Sequence, residues 1–144
     1  MTIKWRKNPQ DLSDAFFIRE TVFIKEQGFS NEFDETDNTC DHLILYDEDE
    51  KAIGCARIFP DEENSWHIGR VAVLPEFRGK GIGAQLLKEA EKRVRELGGQ
   101  KLCLSAQTQA EGFYQKLGYQ TVSEPYLDEH CPHVRMEKTL SVGI

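Results

Sequence analysis

The stretch from Val71 to Gly83 constrains this chain more than any other. It runs from an apolar strand-like segment through Pro75-Glu76-Phe77-Arg78 into three glycines within five residues, at Gly79, Gly81 and Gly83. An amphipathic pattern follows, with Ile82, Leu86, Leu87, Ala90 and Val94 at helical spacing up to Leu97, and Gly98-Gly99 stops it. Strand, glycine turn and helix in that order make an anion site. Glycine lets the backbone approach a ligand closely, and the first N–H groups of a helix have no internal acceptor. Arg78 and Lys80 add two cations, so the turn predicts a bound phosphate or pyrophosphate.

The rest of the chain sets the frame. With 144 residues it has the length of one domain, and we read 1–144 as a single unit. Thr2–Arg6 reads as a strand. Asn8-Pro9 reads as a helix start, with Asn8 as N-cap and Pro9 in the first position, and Leu12, Ala15, Phe16, Arg19, Val22 and Phe23 as the apolar face. Gln27-Gly28 ends that helix. Residues 31–41 are polar and acidic, and two readings are open for them: a solvated loop or a substrate-facing lid. Strands follow at His42–Tyr46 and Ala52–Phe59, as an antiparallel hairpin, and at Trp66–Leu74. Beyond the long helix come a strand at Lys101–Ala106, a short helix at Ala110–Leu117, a strand at Tyr119–Ser123, a loop at Glu124–Pro132 and a last strand at His133–Thr139. The order β-α-β-β-β-α-β-α-β-β predicts an α/β fold with a mixed central sheet and helices on both faces.

Composition excludes several classes. A formal charge of −7 argues against a nucleic-acid surface and against docking on anionic membranes. No apolar run approaches the ~18 residues of a membrane span, and the first residues lack a signal-peptide core, which predicts a cytoplasmic protein. Four cysteines without a CxxC pair predict reduced thiols. Cys40-Asp41-His42 and His130-Cys131-Pro132-His133 are Cys-x-His pairs, but their spacing matches no zinc motif, and no metal is expected.

The residues also carry a family resemblance. Arg78-Gly79-Lys80-Gly81-Ile82-Gly83 resembles the Arg/Gln-x-x-Gly-x-Gly/Ala signature of the GNAT superfamily, the Gcn5-related N-acetyltransferases. Arg70–Pro75 is similar to its fourth strand, and Phe113-Tyr114-Gln115-Lys116-Leu117-Gly118-Tyr119 to its Phe-Tyr-x-Lys-x-Gly-Phe segment. Ile18–Gln27, Ile68–Val71, Ala106–Gln109 and Pro132–Met136 resemble the ElaA-like and YjcF-like branch. The resemblance implies the GNAT acyl-CoA N-acyltransferase fold and acetyl-CoA as co-substrate. It implies that the backbone at Arg78, Gly79, Lys80, Gly81, Ile82, Gly83 and Ala84 holds the pyrophosphate. The Arg78 side chain would reach phosphate or only solvent. Val71, Ala72 and Val73 would meet the pantetheine arm, and Phe113 and Lys116 complete the cofactor-binding set.

Transfer from a thioester to an amine needs a base, an oxyanion donor and an acid. By resemblance the N–H near Val73 is the oxyanion donor and Tyr114 the acid, with Phe113 beside it as the core residue. Many relatives carry a fourth-strand glutamate as base. This chain has none from Ser65 to Leu74. His67 would be the base if residues 67, 69, 71 and 73 share a face; the alternative is a surface histidine beside Trp66. Arg19, Arg57 and Arg70 either clamp an anionic group on the acceptor or pair with the chain's own acids, and His133 faces the acceptor by resemblance. The expected activity is acetyl transfer to a primary amine of a small molecule by direct attack, in a monomer or homodimer. The alternatives are a CoA-binding sensor with little turnover and an aminosugar-phosphate acetyltransferase.

Overall fold

A computed structural model describes residues 1–140. The chain forms a mixed α/β fold with an open mixed sheet and helices, in two compact units. Residues 1–59 and 68–90 make the first unit; residues 60–67 and 91–140 make the second.

In the first unit, β1 (Thr2–Arg6), β2 (Asp41–Tyr46), β3 (Ala52–Pro60) and β4 (Ser65–Val73) are hydrogen-bonded in that order. β1–β2 and β2–β3 are antiparallel, the second being the expected hairpin. Ala15, Ile18, Val22, Ile44, Tyr46, Cys55, Ala72 and Leu74 form a buried cluster, with Phe23, Ala52 and Phe77 packed against it. Each such aliphatic side chain contributes roughly 1.5–3 kcal/mol by leaving water. The long helix α2 (Ile82–Glu96) packs on β3 at Gly54. A Cβ there would lie 3.2 Å from both Ile82 Cγ2 and Leu86 Cδ1, so glycine sets how closely the helix approaches.

The first helix, α1 (Ser13–Arg19), starts later than the sequence predicts. Asn8-Pro9 lies in a turn closed by Gln10 N–H to the Lys7 carbonyl at 2.8 Å. Asp11, not Asn8, leads into the helix by accepting from Ser13 N–H at 2.9 Å. The helix continues into a wider π-type stretch, Glu20–Glu26, with Gln27 N–H donating to the Val22 carbonyl. It ends at Gly28, whose φ of +77° suits glycine.

In the second unit, β5 (Lys101–Gln107) pairs antiparallel with the whole inner length of β8 (Cys131–Thr139). β5 also pairs in parallel with Ser65–His67, three of the nine residues of β4. β6 (Gln120–Thr121) and β7 (Tyr126–Asp128) line different stretches of β8. β7 falls where a loop is expected. It returns to β8 through Glu129-His130, with Glu129 at φ +54°. Its three residues are all exposed, so no apolar alternation announces it. The short helix α3 (Glu111–Lys116) follows a 3₁₀ turn at Thr108–Ala110. Glu91, 7% exposed, accepts from the Tyr119 hydroxyl at 2.9 Å and from Lys138 Nζ at 3.0 Å.

Candidate active site

The glycine turn has the geometry its sequence implies. After β4, Pro75–Phe77 make a 3₁₀ turn and Arg78 is extended. Gly79 and Gly81 then take φ of +78° and +79°. A Cβ on either would meet no atom within 4 Å, so steric crowding does not select these glycines; the left-handed backbone does. The first bond of α2 runs from Gln85 N–H to the Gly81 carbonyl at 3.1 Å. The N–H groups of Ile82, Gly83 and Ala84 therefore open the helix without an intrahelical acceptor, at the positive end of its dipole.

Arg78 departs from both outcomes expected for it. Its guanidinium donates to the two Glu26 carboxylate oxygens, both at 2.7 Å, and from Nε to the Val73 carbonyl at 3.0 Å. The Glu26 carboxyl is lowered, first by the hydrogen bonds from Arg78. The end of the first helical segment is thus tied to the turn that follows β4. Lys80 lies over the Phe77 ring at 5.5 Å.

β4 is not a regular strand where the reaction would need it. Arg70 has φ of +52°, a left-handed conformation that costs a non-glycine residue roughly 1–3 kcal/mol. A left-handed residue therefore separates positions 67 and 69 from positions 71 and 73, the face on which His67 would act as base.

Arg70 belongs to an ion network that joins all three arginines to acids of residues 32–37. Arg19, 1% exposed, donates from Nε to Glu32 at 2.8 Å and to both oxygens of Asp37 at 2.7 and 3.0 Å. Arg57 donates to both oxygens of Asp34 at 2.7 and 3.0 Å and to Asp37 at 2.8 Å. Arg70 reaches the Glu32 carbonyl from Nη2 at 2.9 Å and its carboxylate from Nε at 2.9 Å. Three guanidinium groups thus meet three carboxylates. Of the two readings for Arg19, Arg57 and Arg70, an acceptor clamp or pairing with the chain's own acids, the structure shows the pairing. Residues 31–41 are mostly exposed, as a solvated loop is, but Glu32 and Asp37 turn inward and are each 4% exposed. Burial pushes both carboxyls up. For Asp37, hydrogen bonds and charge from Arg19, with help from Asp34 N–H and Arg57, overturn this and hold it at about 2. For Glu32 burial wins over its arginines and the carboxyl stays raised.

Asp37, Cys40 and His42 gather closely enough to suggest a metal site. The chemistry opposes one. The Asp37 carboxylate is already held by two cations, Arg19 and Arg57, whose charge disfavours a further cation beside it. His42 Nε2 lies 3.0 Å from the Asp37 carbonyl instead.

In the second unit, α3 reverses the expected orientation of two aromatics. Tyr114 is buried and Phe113 is 39% exposed, their rings edge to face at 5.0 Å. The Tyr114 ring also meets Tyr119 edge to face at 6.0 Å. Burial pushes the Tyr114 hydroxyl up to about 12, and no described residue hydrogen-bonds to it. Lys116 is exposed. His67 is half-buried, opposite Cys103 in the β4–β5 ladder. His133 is buried, and its ring stacks on Tyr126 at 6.2 Å. Its Nδ1 lies 2.9 Å from the Cys131 carbonyl, which can only accept, so the proton sits on Nδ1 and the lone pair on Nε2.

The sequence profile of the Acetyltransferase (GNAT) domain matches residues 10–140. The chain belongs to the GNAT acetyltransferase family. YjcF of Bacillus subtilis, described as an uncharacterized N-acetyltransferase, is a 39% identical GNAT relative over 92% of this chain and 95% of its own. The crystal structure of ElaA from Escherichia coli superposes with a TM-score of 0.82 at 26% identity, covering 95% of this chain and 99% of that one. These relatives support the ElaA-like and YjcF-like branch. An aminoglycoside 6′-N-acetyltransferase complexed with coenzyme A shares the GNAT fold at a TM-score of 0.75 and 16% identity, over 98% of each chain. Among the described residues no helix is long and apolar enough to cross a membrane.

Proposed function

We propose that this GNAT chain transfers an acetyl group from acetyl-CoA to a primary amine of a small molecule, in the cytoplasm. The observation that carries the donor half is the glycine turn, with three helix-opening N–H groups and two glycines in left-handed conformation. The backbone from Arg78 to Ala84 would bind the pyrophosphate. Its cation is Lys80, since Arg78 is spent on Glu26. Val71, Ala72 and Val73 would bond the pantetheine arm as an added strand does.

In the reaction a neutral amine nitrogen attacks the thioester carbonyl carbon. The C–N bond forms, the oxyanion collapses, the C–S bond breaks and the nitrogen loses a proton. Tyr114 would protonate the leaving thiolate. Burial keeps its phenol fully protonated at neutral pH, and among the described residues its hydroxyl has no hydrogen-bond partner to compete. For the base the chain offers His67 and His133, and the contact of His133 Nδ1 with the Cys131 carbonyl at 2.9 Å orients that ring. The aminosugar-phosphate alternative loses its motive, since Arg57 and Arg70 face Glu32, Asp34 and Asp37. The sensor alternative keeps one support: β4 has no carboxylate.

The test is incubation with ¹³C-acetyl-CoA and a panel of primary amines, read by mass spectrometry. Labelled amide from at least one amine, lost in Tyr114→Phe, is expected. Tight CoA binding with no labelled amide across the panel would favour the sensor.

A further inference from the structure

The left-handed residue in β4 has no glycine to relieve it, and its side chain is the one that reaches Glu32. Arg70 donates to the Glu32 carbonyl from Nε and Nη2 at 3.2 and 2.9 Å, and Nε lies 2.9 Å from the Glu32 carboxylate. Glu32 is in turn fixed by Arg19, through its carboxylate at 2.8 Å and its carbonyl at 3.0 Å. Arg19 is locked to Asp37. The Arg70 carbonyl is held as well, accepting from the Cys55 thiol at 3.6 Å. Both ends of the strained residue are therefore anchored, on one side by a buried ion pair. Immediately after it come Val71, Ala72 and Val73.

We propose that Glu32 is a positioning residue: through Arg70 it holds the β4 backbone in the left-handed conformation at Arg70 that presents the Val71–Val73 peptide groups to the thioester. This rests on the acetyl-CoA reading above, and extends it by giving the ion network a task in the reaction. A strained φ persists only where surrounding structure over-determines it. A carboxylate fixed from two sides is such a determinant, and a shift of one N–H by an ångström is enough to weaken carbonyl polarisation. The signal in the sequence is slight, being an arginine in an apolar strand and an acid cluster 36–38 residues earlier.

The test separates strain from charge pairing. Arg70→Ala removes the guanidinium and keeps a residue that resists positive φ. Arg70→Gly removes the same group but adopts φ of +52° freely. The probe is acetyl-CoA labelled with ¹³C at the thioester carbonyl, bound to the protein and read by infrared spectroscopy, with CoA affinity measured alongside. Bound to the wild-type chain, the label should show a carbonyl downshift. Arg70→Ala and Glu32→Gln should lose most of it and Arg70→Gly should keep most of it, while all three still bind CoA, because the glycine turn is untouched. Equal loss in Arg70→Ala and Arg70→Gly, or a retained downshift in Glu32→Gln, overturns the proposal while leaving CoA binding intact. A wild-type chain that binds neither CoA nor acetyl-CoA overturns the reading beneath it, and this inference with it.

Discussion

Asp37→Asn is the perturbation that most directly tests the buried network. The Asp37 carboxylate accepts from Arg19 at 2.7 and 3.0 Å, from Arg57 at 2.8 Å and from Asp34 N–H at 3.2 Å. Asparagine keeps one acceptor oxygen and removes the charge between two guanidinium groups that are 1% and 5% exposed. Breaking a buried ion pair from one side costs about 3–5 kcal/mol, and the retained oxygen places this change near the lower end, about 3 kcal/mol. With a urea slope of about 1–3 kcal/mol per molar, the unfolding midpoint should fall by about 1–3 M. The variant should also change the acid limb. A carboxyl lowered from 3.8 to about 2 contributes about 2 kcal/mol, fully present above its unfolded pKa and lost as pH falls towards 2. Glu32 has the opposite sign, and its effect lies in a different window: its raised carboxyl favours the folded state below 4.5, and that advantage is lost as pH rises through its folded pKa. Urea melts of both proteins between pH 2 and 7 check this. A midpoint shift equivalent to under about 1 kcal/mol at pH 7, or an unchanged acid limb, would refute the network as a determinant of stability.

Other outcomes follow from single positions. Gly81→Ala should cost about 1–2 kcal/mol by thermal melt, from its φ of +79° alone, and weaken CoA binding by calorimetry. Gly99→Ala should cost more than its exchange for another helix-end residue would suggest, about 1–3 kcal/mol by urea melt, since its Cβ would lie 2.3 Å from Val94 Cγ1 and 2.7 Å from Trp66 Cδ1. Tyr114→Phe should leave stability within about 0.5 kcal/mol, because the hydroxyl has no described partner, yet lower turnover by about 10²-fold or more.

The elements whose folding is local were legible from the chain. The repeat from Ile82 to Val94 needs only helical periodicity, and Thr2–Arg6 and the β2–β3 hairpin need only short apolar runs between turns. The glycine turn was legible because its conformation is dictated by residues within it. What depended on distant partners was not. Arg19 reads as one polar residue on an apolar helix face, and residues 31–41 read equally as a solvated loop or a lid, because their charges cancel against residues up to 38 positions away. The positive φ at Arg70 leaves no mark in a non-glycine residue type, so the alternation drawn from His67 to Val73 passes through a left-handed residue that the sequence does not announce. On α3, two adjacent aromatics gave no means of telling which packs inward; burial selects Tyr114 and leaves Phe113 outward.

The central claim is that the turn from Arg78 to Ala84 binds the pyrophosphate of acetyl-CoA. Titrating CoA into the wild-type chain and into Gly79→Ala/Gly81→Ala by calorimetry tests it most directly, with circular dichroism to show that both are folded. One CoA per chain for the wild type, and an affinity at least tenfold weaker for the folded variant, is predicted, since the loss of N–H bonds to a charged oxygen costs about 1.5–3 kcal/mol. Equal affinity in the two proteins, or no binding to either, would contradict it.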